Sequence, residues 1–108
     1  MFIGRVVGSL WATRKTTNTQ GLKFLIIQPY NLKKAPNTDT IVAADILGAG
    51  EGELVMVAYG RAARLAIGNE NVSIEAAVTG IIDEYDVNEE YYKGEMDPSA
   101  IRYKKQLA

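Results

Sequence analysis

The sequence predicts an all-β fold, a small closed or nearly closed barrel of five strands with one short helix. Short apolar runs rich in β-branched residues recur through the first 83 residues, which is typical of strands. Stretches rich in glycine, proline and polar residues separate most of these runs and are typical of loops. Hydrophobic residues make up 47% of the chain, and closing the sheet covers edges that such a chain would otherwise expose.

The first two strands are predicted at Phe2–Leu10 and Leu22–Pro29. Two glycines inside the first strand suit a sharply curved strand, as in a small barrel. Trp11 closes this strand and is expected at the core or rim of the barrel, with a partner for its indole N–H. The second run is nearly unbroken in apolar residues, which indicates a strand covered by the core on one face and by another subunit on the other.

A polar loop, Ala12–Gly21, connects these strands and contains Arg14 and Lys15. These two side chains either form a solvated basic turn or contact carboxylates and backbone carbonyls of a neighbouring subunit. Arg14 is the better candidate for such a contact, because its planar guanidinium can bind a carboxylate in two places. A second polar loop, Tyr30–Asp39, leads into the centre of the chain.

The centre of the chain consists of two predicted strands, Ile41–Leu47 and Leu54–Tyr59, around a loop with alternating glycines, Gly48–Gly52. A dinucleotide-binding turn needs a third glycine three residues after the second, followed by a helix. Here Glu53 occupies that position, a strand follows, and Glu51 would also repel a phosphate. The loop is therefore predicted either as a tight hairpin loop or as a loop packed against copies of itself around a symmetry axis, where only small residues fit.

One short helix is predicted at Gly60–Gly68, ending at a C-capping glycine. Arg61 and Arg64 share one face of this helix, which is either solvated or meets the acidic glycine loop or the tail at a subunit interface. Val72–Ala77 is interpreted as a turn into the last barrel strand, Val78–Asp83, because valine, threonine and isoleucine favour strands.

The composition changes near the C-terminus, which divides the chain into a barrel domain, residues 1–84, and an acidic, tyrosine-containing extension, residues 85–108. Within the extension, Asp97 and Pro98 match a helix N-cap followed by proline at the first helical position. Ser99–Leu107 could therefore form about two helical turns. Because so short a helix is marginal in water, it would either dock on another surface or stay disordered.

Composition excludes several classes of function. The chain contains no cysteine and no histidine, so it lacks thiolate chemistry and the commonest general base and metal ligand. We therefore expect no catalytic residues, no cofactor and no metal.

No apolar run approaches the ~20 residues of a membrane span, and the N-terminus lacks the pattern of a signal peptide, so the cytosol is the expected compartment. Residues 1–82 carry eight basic and six acidic groups and residues 83–108 carry four and seven, which argues against nucleic acid as a partner.

Several motifs follow one another in a specific order along residues 1–84. They are Ile3-Gly4-Arg5-Val6-Val7-Gly8, Leu10-Trp11-Ala12-Thr13-Arg14-Lys15, Leu25-Ile26-Ile27-Gln28-Pro29, Ala44-Asp45-Ile46-Leu47-Gly48-Ala49-Gly50-Glu51-Gly52-Glu53, Ala63-Arg64 and Glu75-Ala76-Ala77-Val78-Thr79-Gly80-Ile81-Ile82-Asp83. In this combination the chain closely resembles the EutN/CcmL family, the pentameric vertex proteins of bacterial microcompartment and carboxysome shells. It departs from the family pattern at Arg61 and Ala62, where the family has two serines, and at Ser73, where the family has proline.

The resemblance implies an OB-like β-barrel that assembles into homopentamers and caps the vertices of a polyhedral shell. The implied partners are further copies of the chain and hexameric shell proteins, and the implied location is a microcompartment shell in the bacterial cytoplasm. The resemblance implies a structural protein, not an enzyme. It places one loop near the five-fold axis, where it could line a narrow pore; this loop comprises Gly48, Ala49, Gly50, Glu51 and Gly52.

The predicted subunit interface contains Arg14, Lys15, Glu53, Arg61 and Arg64. Either Arg14 or Arg64 is predicted to pair with Glu53 across the subunit boundary. If the loop Gly48–Gly52 lies at the five-fold axis, Glu51 would form a ring of five carboxylates. Such a ring would disfavour the passage of anions.

Two other functions are compatible with the sequence. An OB-like module that binds single-stranded nucleic acid or another ligand needs aromatic platforms and a basic groove, but four of the six tyrosines lie in the acidic extension. An enzyme that uses Asp45 and Asp83 needs both carboxylates to face one cleft. The simpler interpretation is a hydrogen-bonded strand-end residue for Asp45 and a solvated strand end for Asp83.

Overall fold

The computed structural model describes residues 1–11, 21–30, 39–88 and 102–104, with the backbone alone at 102 and 103. The elements within these ranges are β1 (Phe2–Leu10), β2 (Lys23–Pro29), β3 (Ile41–Asp45), β4 (Leu54–Tyr59), α1 (Gly60–Ile67), β5 (Ala76–Ile81), β6 (Glu84–Asp86) and β7 (Arg102–Lys104).

Five of the strands close into a barrel with the order β1-β2-β3-β5-β4, and β4 pairs back onto β1. All neighbours are antiparallel except β3 and β5, which run parallel where Ala44 pairs with Ala77. The predicted all-β fold, a small five-stranded OB-like barrel with one short helix, is therefore confirmed. The strands β1 and β4 have the predicted limits, whereas β3 ends two residues early and β5 begins two residues early.

The curvature predicted for β1 arises from a bulge and from close packing. The register with β2 shifts between Val6 and Gly8, so the strand bends at this point. Gly4 is buried, and a Cβ on it would overlap the Cγ2 atom of Ile27 and come within 3.3 Å of the Gln28 carbonyl oxygen. Gly4 therefore lets two strands approach more closely than any side chain would allow.

The buried side chains of the strands are mainly branched aliphatic ones. The fully buried examples are Val6, Leu25, Ile27, Leu54, Val55, Val57 and Val78. A second buried cluster lies where the helix packs on the sheet, and it is made mainly of small residues: Ala44, Ala58, Ala63, Val72, Ile74 and Ala77. The alanines let the helix axis lie close to β4 and β5.

The helix α1 begins directly after β4 and ends at Ile67. The N–H of Gly68, in the left-handed conformation, donates to the carbonyls of Arg64 (3.1 Å) and Leu65 (3.0 Å), as predicted for a C-cap. No helix within the described ranges is long and apolar enough to cross a membrane.

The C-terminal prediction is wrong for the three residues that can be compared. Within the predicted helix Ser99–Leu107, residues Arg102–Lys104 form β7, which pairs antiparallel with β6. The pairing joins backbone groups that a short isolated helix would leave largely to water. It also sets an acidic residue opposite a basic one, because Glu84 pairs with Lys104. The rest of that segment, including the predicted cap at Asp97 and Pro98, lies outside the described residues.

Candidate glycine loop and subunit interface

The glycine loop is organised by Asp45, the last residue of β3, whose side chain is buried at 3% exposure. Its Oδ1 accepts a hydrogen bond from the N–H of Leu47 (3.0 Å), and its Oδ2 accepts from the N–H groups of Gly48 (3.1 Å) and Ala49 (2.9 Å). Three donors satisfy the buried carboxylate, as a charge in this position requires. The same bonds turn the chain away from the sheet, which is why β3 ends at Asp45 and not at Leu47.

Glu53 closes the other side of the loop. Its Oε1 accepts from the N–H of Gly50 at 2.6 Å, and its own N–H donates to the carbonyl of Gly50 at 3.1 Å. The backbone N–H groups of residues 47–50 are thus all directed to two carboxylates of the same chain. A phosphate cradle needs such N–H groups to be available to the ligand, so this geometry disfavours the nucleotide interpretation.

The loop is fastened to β1 by three further hydrogen bonds. The N–H of Gly52 donates to the Val6 carbonyl (2.7 Å), the N–H of Val6 donates to the Glu53 carbonyl (2.9 Å), and Nη1 of Arg5 donates to the Gly52 carbonyl (2.7 Å). Gly48 and Gly52 have φ values of 84° and 90°, a region in which a side chain is strained. The Arg5 contact could not be inferred from sequence, because 47 residues separate the two partners.

The members of the predicted axis loop differ in exposure. Gly48, Glu51 and Gly52 are exposed, whereas Gly50 is half-buried and Ala49 packs into the barrel core. In one copy of the chain, Glu51 is therefore the acidic side chain that this loop presents to solvent. Its position near a five-fold axis remains a prediction.

The helix arginines have partners within the chain. Arg61 donates from Nε (3.1 Å) and Nη2 (2.9 Å) to Oε1 of Glu70, and both side chains are largely exposed. Nη1 of Arg64 lies 3.8 Å from Oε1 of Glu75, and the Arg64 side chain is only 27% exposed. Both glutamates follow the helix, and sequence reasoning missed them because the fold of the segment after the C-cap decides which arginine each one meets.

Two of the predicted interface residues, Arg14 and Lys15, lie outside the described residues. The predicted pair between Arg14 or Arg64 and Glu53 concerns two copies of the chain, so it stays a prediction. The structure does show that Glu53 also has a role inside its own loop.

The large exposed hydrophobic side chains of the described residues are divided into two groups by the strands that carry or adjoin them. The first group, named the β3 flank, consists of Val7, Leu10, Trp11, Val42, Ile46 and Leu47. Strand register places it at one side of the barrel, because β2 connects the second half of β1 to β3. The second group, named the β4 flank, consists of Met1, Met56, Tyr59 and Leu65, on or next to β4 and α1. These flanks are the apolar surfaces available to a partner.

Trp11 differs from its expected environment. Its side chain is 95% exposed in the single chain, not enclosed at the core or rim. So large an apolar ring is rarely left this exposed, and tryptophan is enriched where proteins contact one another.

The two carboxylates considered for catalysis lie in different environments. Asp45 is buried and bonded to three backbone N–H groups, while Asp83 is exposed at the end of the barrel sheet. Among the residues that the structure describes, no group of three or more Asp, Glu, His or Cys is arranged to hold a metal ion.

Comparison with known proteins identifies the family. The family model described as "Ethanolamine utilisation protein EutN/carboxysome" matches residues 1–83. The chain belongs to the EutN/CcmL family. Among its curated relatives, the bacterial microcompartment shell vertex protein GrpN of Rhodospirillum rubrum is 39% identical over 83 residues, covering 77% of this chain and 93% of GrpN. The carboxysome shell vertex protein CcmL of Synechocystis is 41% identical over 87 residues, covering 81% of this chain and 87% of CcmL.

Solved structures of EutN/CcmL proteins share the fold. CcmL of Gloeobacter violaceus superposes with a TM-score of 0.76 at 40% identity, covering 82% of this chain and 91% of CcmL. The GrpN pentameric microcompartment shell protein from Rhodospirillum rubrum superposes with a TM-score of 0.72 at 35% identity, covering 82% of this chain and all of GrpN. The family match ends just before β6, so β6 and β7 belong to the part of the chain that the family model does not include.

Proposed function

We propose that this chain is a structural shell protein of a bacterial microcompartment, and that its homopentamers cap the vertices of the polyhedral shell in the bacterial cytoplasm. The similarity in sequence and fold to a pentameric shell protein carries the proposal. Hexagonal tiles alone form flat sheets, and a closed polyhedron needs a pentagon at each corner. The expected neighbours of such a pentamer are hexameric shell proteins.

The two apolar flanks support assembly into a ring. A ring of identical subunits is built from a heterologous interface, in which one surface of each copy meets a different surface of the next. The β3 flank and the β4 flank are two such surfaces, and they share no residue. We infer that the β3 flank of one copy packs on the β4 flank of its neighbour, which would bury Trp11 and Tyr59.

The glycine loop suits a position at the centre of the ring. Its small residues allow close approach of five copies, and its N–H groups at 47–50 are already bonded to Asp45 and Glu53. Glu51, exposed at the turn, would then contribute five carboxylates around the axis. Such a ring disfavours anions. We expect Glu51→Gln to raise anion leakage through assembled shells, and unchanged leakage would contradict the pore role.

The substitution Glu53→Gln tests the proposed ion pair between copies of the chain. Glutamine keeps an oxygen that can accept from the Gly50 N–H, so the loop is retained while the charge is removed. Breaking a desolvated pair costs roughly 3–5 kcal/mol. We expect the Glu53→Gln ring to dissociate at low micromolar concentration. A ring that stays pentameric there would show that the pair with Arg14 or Arg64 contributes little.

We infer that the protein acts through shape and charge complementarity and makes or breaks no covalent bond. Asp45, the one buried acidic residue in the described ranges, serves the loop backbone. No observation favours the alternative of a single-stranded nucleic-acid-binding module, because the exposed Trp11 and Tyr59 lie on different flanks.

The solution mass of the purified full chain tests the proposal directly. Five copies of an 11.8 kDa chain correspond to about 59 kDa, which light scattering or native mass spectrometry resolves from smaller species. A monodisperse monomer or dimer at micromolar concentration would contradict a vertex role.

A further inference from the structure

The strands β6 and β7 form a two-stranded sheet outside the family match, here named the tail sheet. An isolated pair of short strands is marginally stable, so contacts with the barrel must hold it in place. The N–H of Ile82, two residues before β6, donates to the Leu54 carbonyl at 2.9 Å. This bond brings the start of the tail sheet next to Leu54, the first residue of β4, two residues after the glycine loop.

Tyr85 connects the tail sheet to the end of β2. Its ring lies edge-on to the ring of Tyr30, with centroids 6.2 Å apart and planes at 69°. Tyr30 is itself held on the barrel, since its N–H donates to the Ile3 carbonyl at 2.8 Å. This edge-to-face geometry is the favoured one for an aromatic pair.

Arg5 connects Tyr30 to the glycine loop. Its guanidinium carbon lies 5.7 Å from the centroid of the Tyr30 ring, within the range of a cation–π contact. The same guanidinium donates from Nη1 to the Gly52 carbonyl at 2.7 Å. One ring therefore lies between the tail sheet and the side chain that binds the loop.

We propose that the tail sheet braces the glycine loop through the sequence of contacts Tyr85, Tyr30, Arg5 and Gly52. A long arginine side chain loses rotamer freedom when it binds a carbonyl, and an aromatic face that already orients the guanidinium lowers that loss. The Arg5 bond to the Gly52 carbonyl adds a side-chain contact to the two backbone hydrogen bonds that fasten this segment to β1. The tail sheet thereby acts on the loop from outside the residues that the family model matches. The brace lies within one copy of the chain and does not depend on the ring.

Amide hydrogen exchange in the full chain tests the brace. We expect Tyr85→Ala to raise the exchange rates of the Gly52 and Glu53 amides about two- to fivefold, because loss of the ring contacts raises the population of the open loop. Tyr85→Phe keeps the ring and should leave both rates unchanged. The amides of Leu25 and Ile27 in the barrel core serve as internal references for global stability. Unchanged rates at Gly52 and Glu53 in Tyr85→Ala would overturn the proposal.

A double variant distinguishes the brace from a general loosening of the chain. If Tyr85 acts through Arg5, then Tyr85→Ala combined with Arg5→Ala should give the same loop exchange as Arg5→Ala alone. Additive increases would show that the tail sheet does not act through Arg5. If Tyr85→Ala folds poorly, Tyr85→Leu retains bulk without the aromatic edge and should show the same increase at the loop. If Tyr85→Ala loses the pentamer while the exchange rates of the loop amides stay unchanged, the brace is contradicted. Tyr85 would then act on assembly alone.

Discussion

At the scale of single residues, Asp45 decides the conformation of the central loop. An ionised carboxylate inside an apolar barrel is costly unless it is bonded, and three backbone N–H groups satisfy this one. The sequence predicted a hydrogen-bonded residue at the end of a strand, and the structure confirms that role. It adds the identity of the donors, which determines where β3 ends.

Substitution of Asp45 by asparagine should destabilise the chain. The amide nitrogen cannot accept a hydrogen bond, so at least one of the three N–H groups is left without an acceptor, at a cost of about 1–3 kcal/mol. Urea unfolding at fixed protein concentration measures the loss. Asp83→Asn, at an exposed position, is the matched control and should change stability little. Equal effects of the two substitutions would contradict the role of Asp45.

Gly4 provides a second prediction at this scale. A methyl group there would overlap Ile27, so Gly4→Ala must displace strand β2 or the Ile27 side chain, at a cost of about 1–3 kcal/mol. Gly8→Ala is the control, because its Cβ would make only an ordinary 3.6 Å contact with Ile26. In thermal unfolding, the midpoint temperature of Gly4→Ala should be clearly lower than that of Gly8→Ala. The reverse order would show that β1 can relax to accept the methyl group.

At the scale of elements, the glycine loop combines tight internal bonding with a backbone shape that favours glycine. Its carboxylates come from Asp45 at the end of β3 and from Glu53 just before β4, and β1 supplies its external bonds. The loop therefore behaves as an extension of the barrel and not as a separate flexible connection. This rigidity is what a loop at a crowded symmetry axis would need.

Gly52→Ala tests the backbone requirement of the loop. With φ at 90°, an alanine there is strained by about 1–2 kcal/mol, and relief of the strain would shift the Gly52 carbonyl away from Arg5. Gly50→Ala is the comparison, since its φ is ordinary and its Cβ would meet only the movable Glu53 carboxylate at 3.3 Å. Chemical denaturation should show a larger loss in the free energy of unfolding for Gly52→Ala than for Gly50→Ala. A smaller loss for Gly52→Ala would mean that the loop backbone adapts freely.

The tail sheet shows how tertiary contacts override a local signal. Asp97 and Pro98 favour a helix start, yet Arg102–Lys104 pair with β6. Helix signals act over a few neighbouring residues and contribute little in a short segment. A partner strand supplies both backbone hydrogen bonds and an oppositely charged neighbour, as where Glu84 pairs with Lys104. That partner strand is in reach only after the chain has folded back.

At the scale of the whole molecule, the barrel presents two apolar flanks made of different residues. In a closed ring each copy uses both flanks, so loss of either one should break the ring. This arrangement distinguishes a head-to-tail ring from a two-fold dimer, in which one surface meets itself.

Complementary variants test the two flanks. Val42→Lys disrupts the β3 flank and Met56→Lys disrupts the β4 flank, because an unpaired lysine is costly to bury in an apolar contact. Each variant alone should be monomeric, and a mixture of the two should form a one-to-one dimer through the single intact pair of flanks. Native mass spectrometry distinguishes these species. Asp83→Lys, outside both flanks, should remain pentameric, and a mixture that stays monomeric would contradict head-to-tail packing.

The sequence by itself determined the barrel strands and the helix. The limits of β1 and β4 and the C-cap at Gly68 follow from apolar runs rich in β-branched residues and from capping signals, which act over short distances. The order of motifs also identified the family, because each motif is weak alone but their sequence is specific.

Only the tertiary structure decided how the loop is held, which acids the helix arginines meet, how the apolar surface divides into two flanks, and where β7 pairs. Arg5 reaches Gly52 and Tyr85 reaches Tyr30 across many residues of chain. Such contacts depend on strand register and barrel closure, which bring together residues that no local pattern relates.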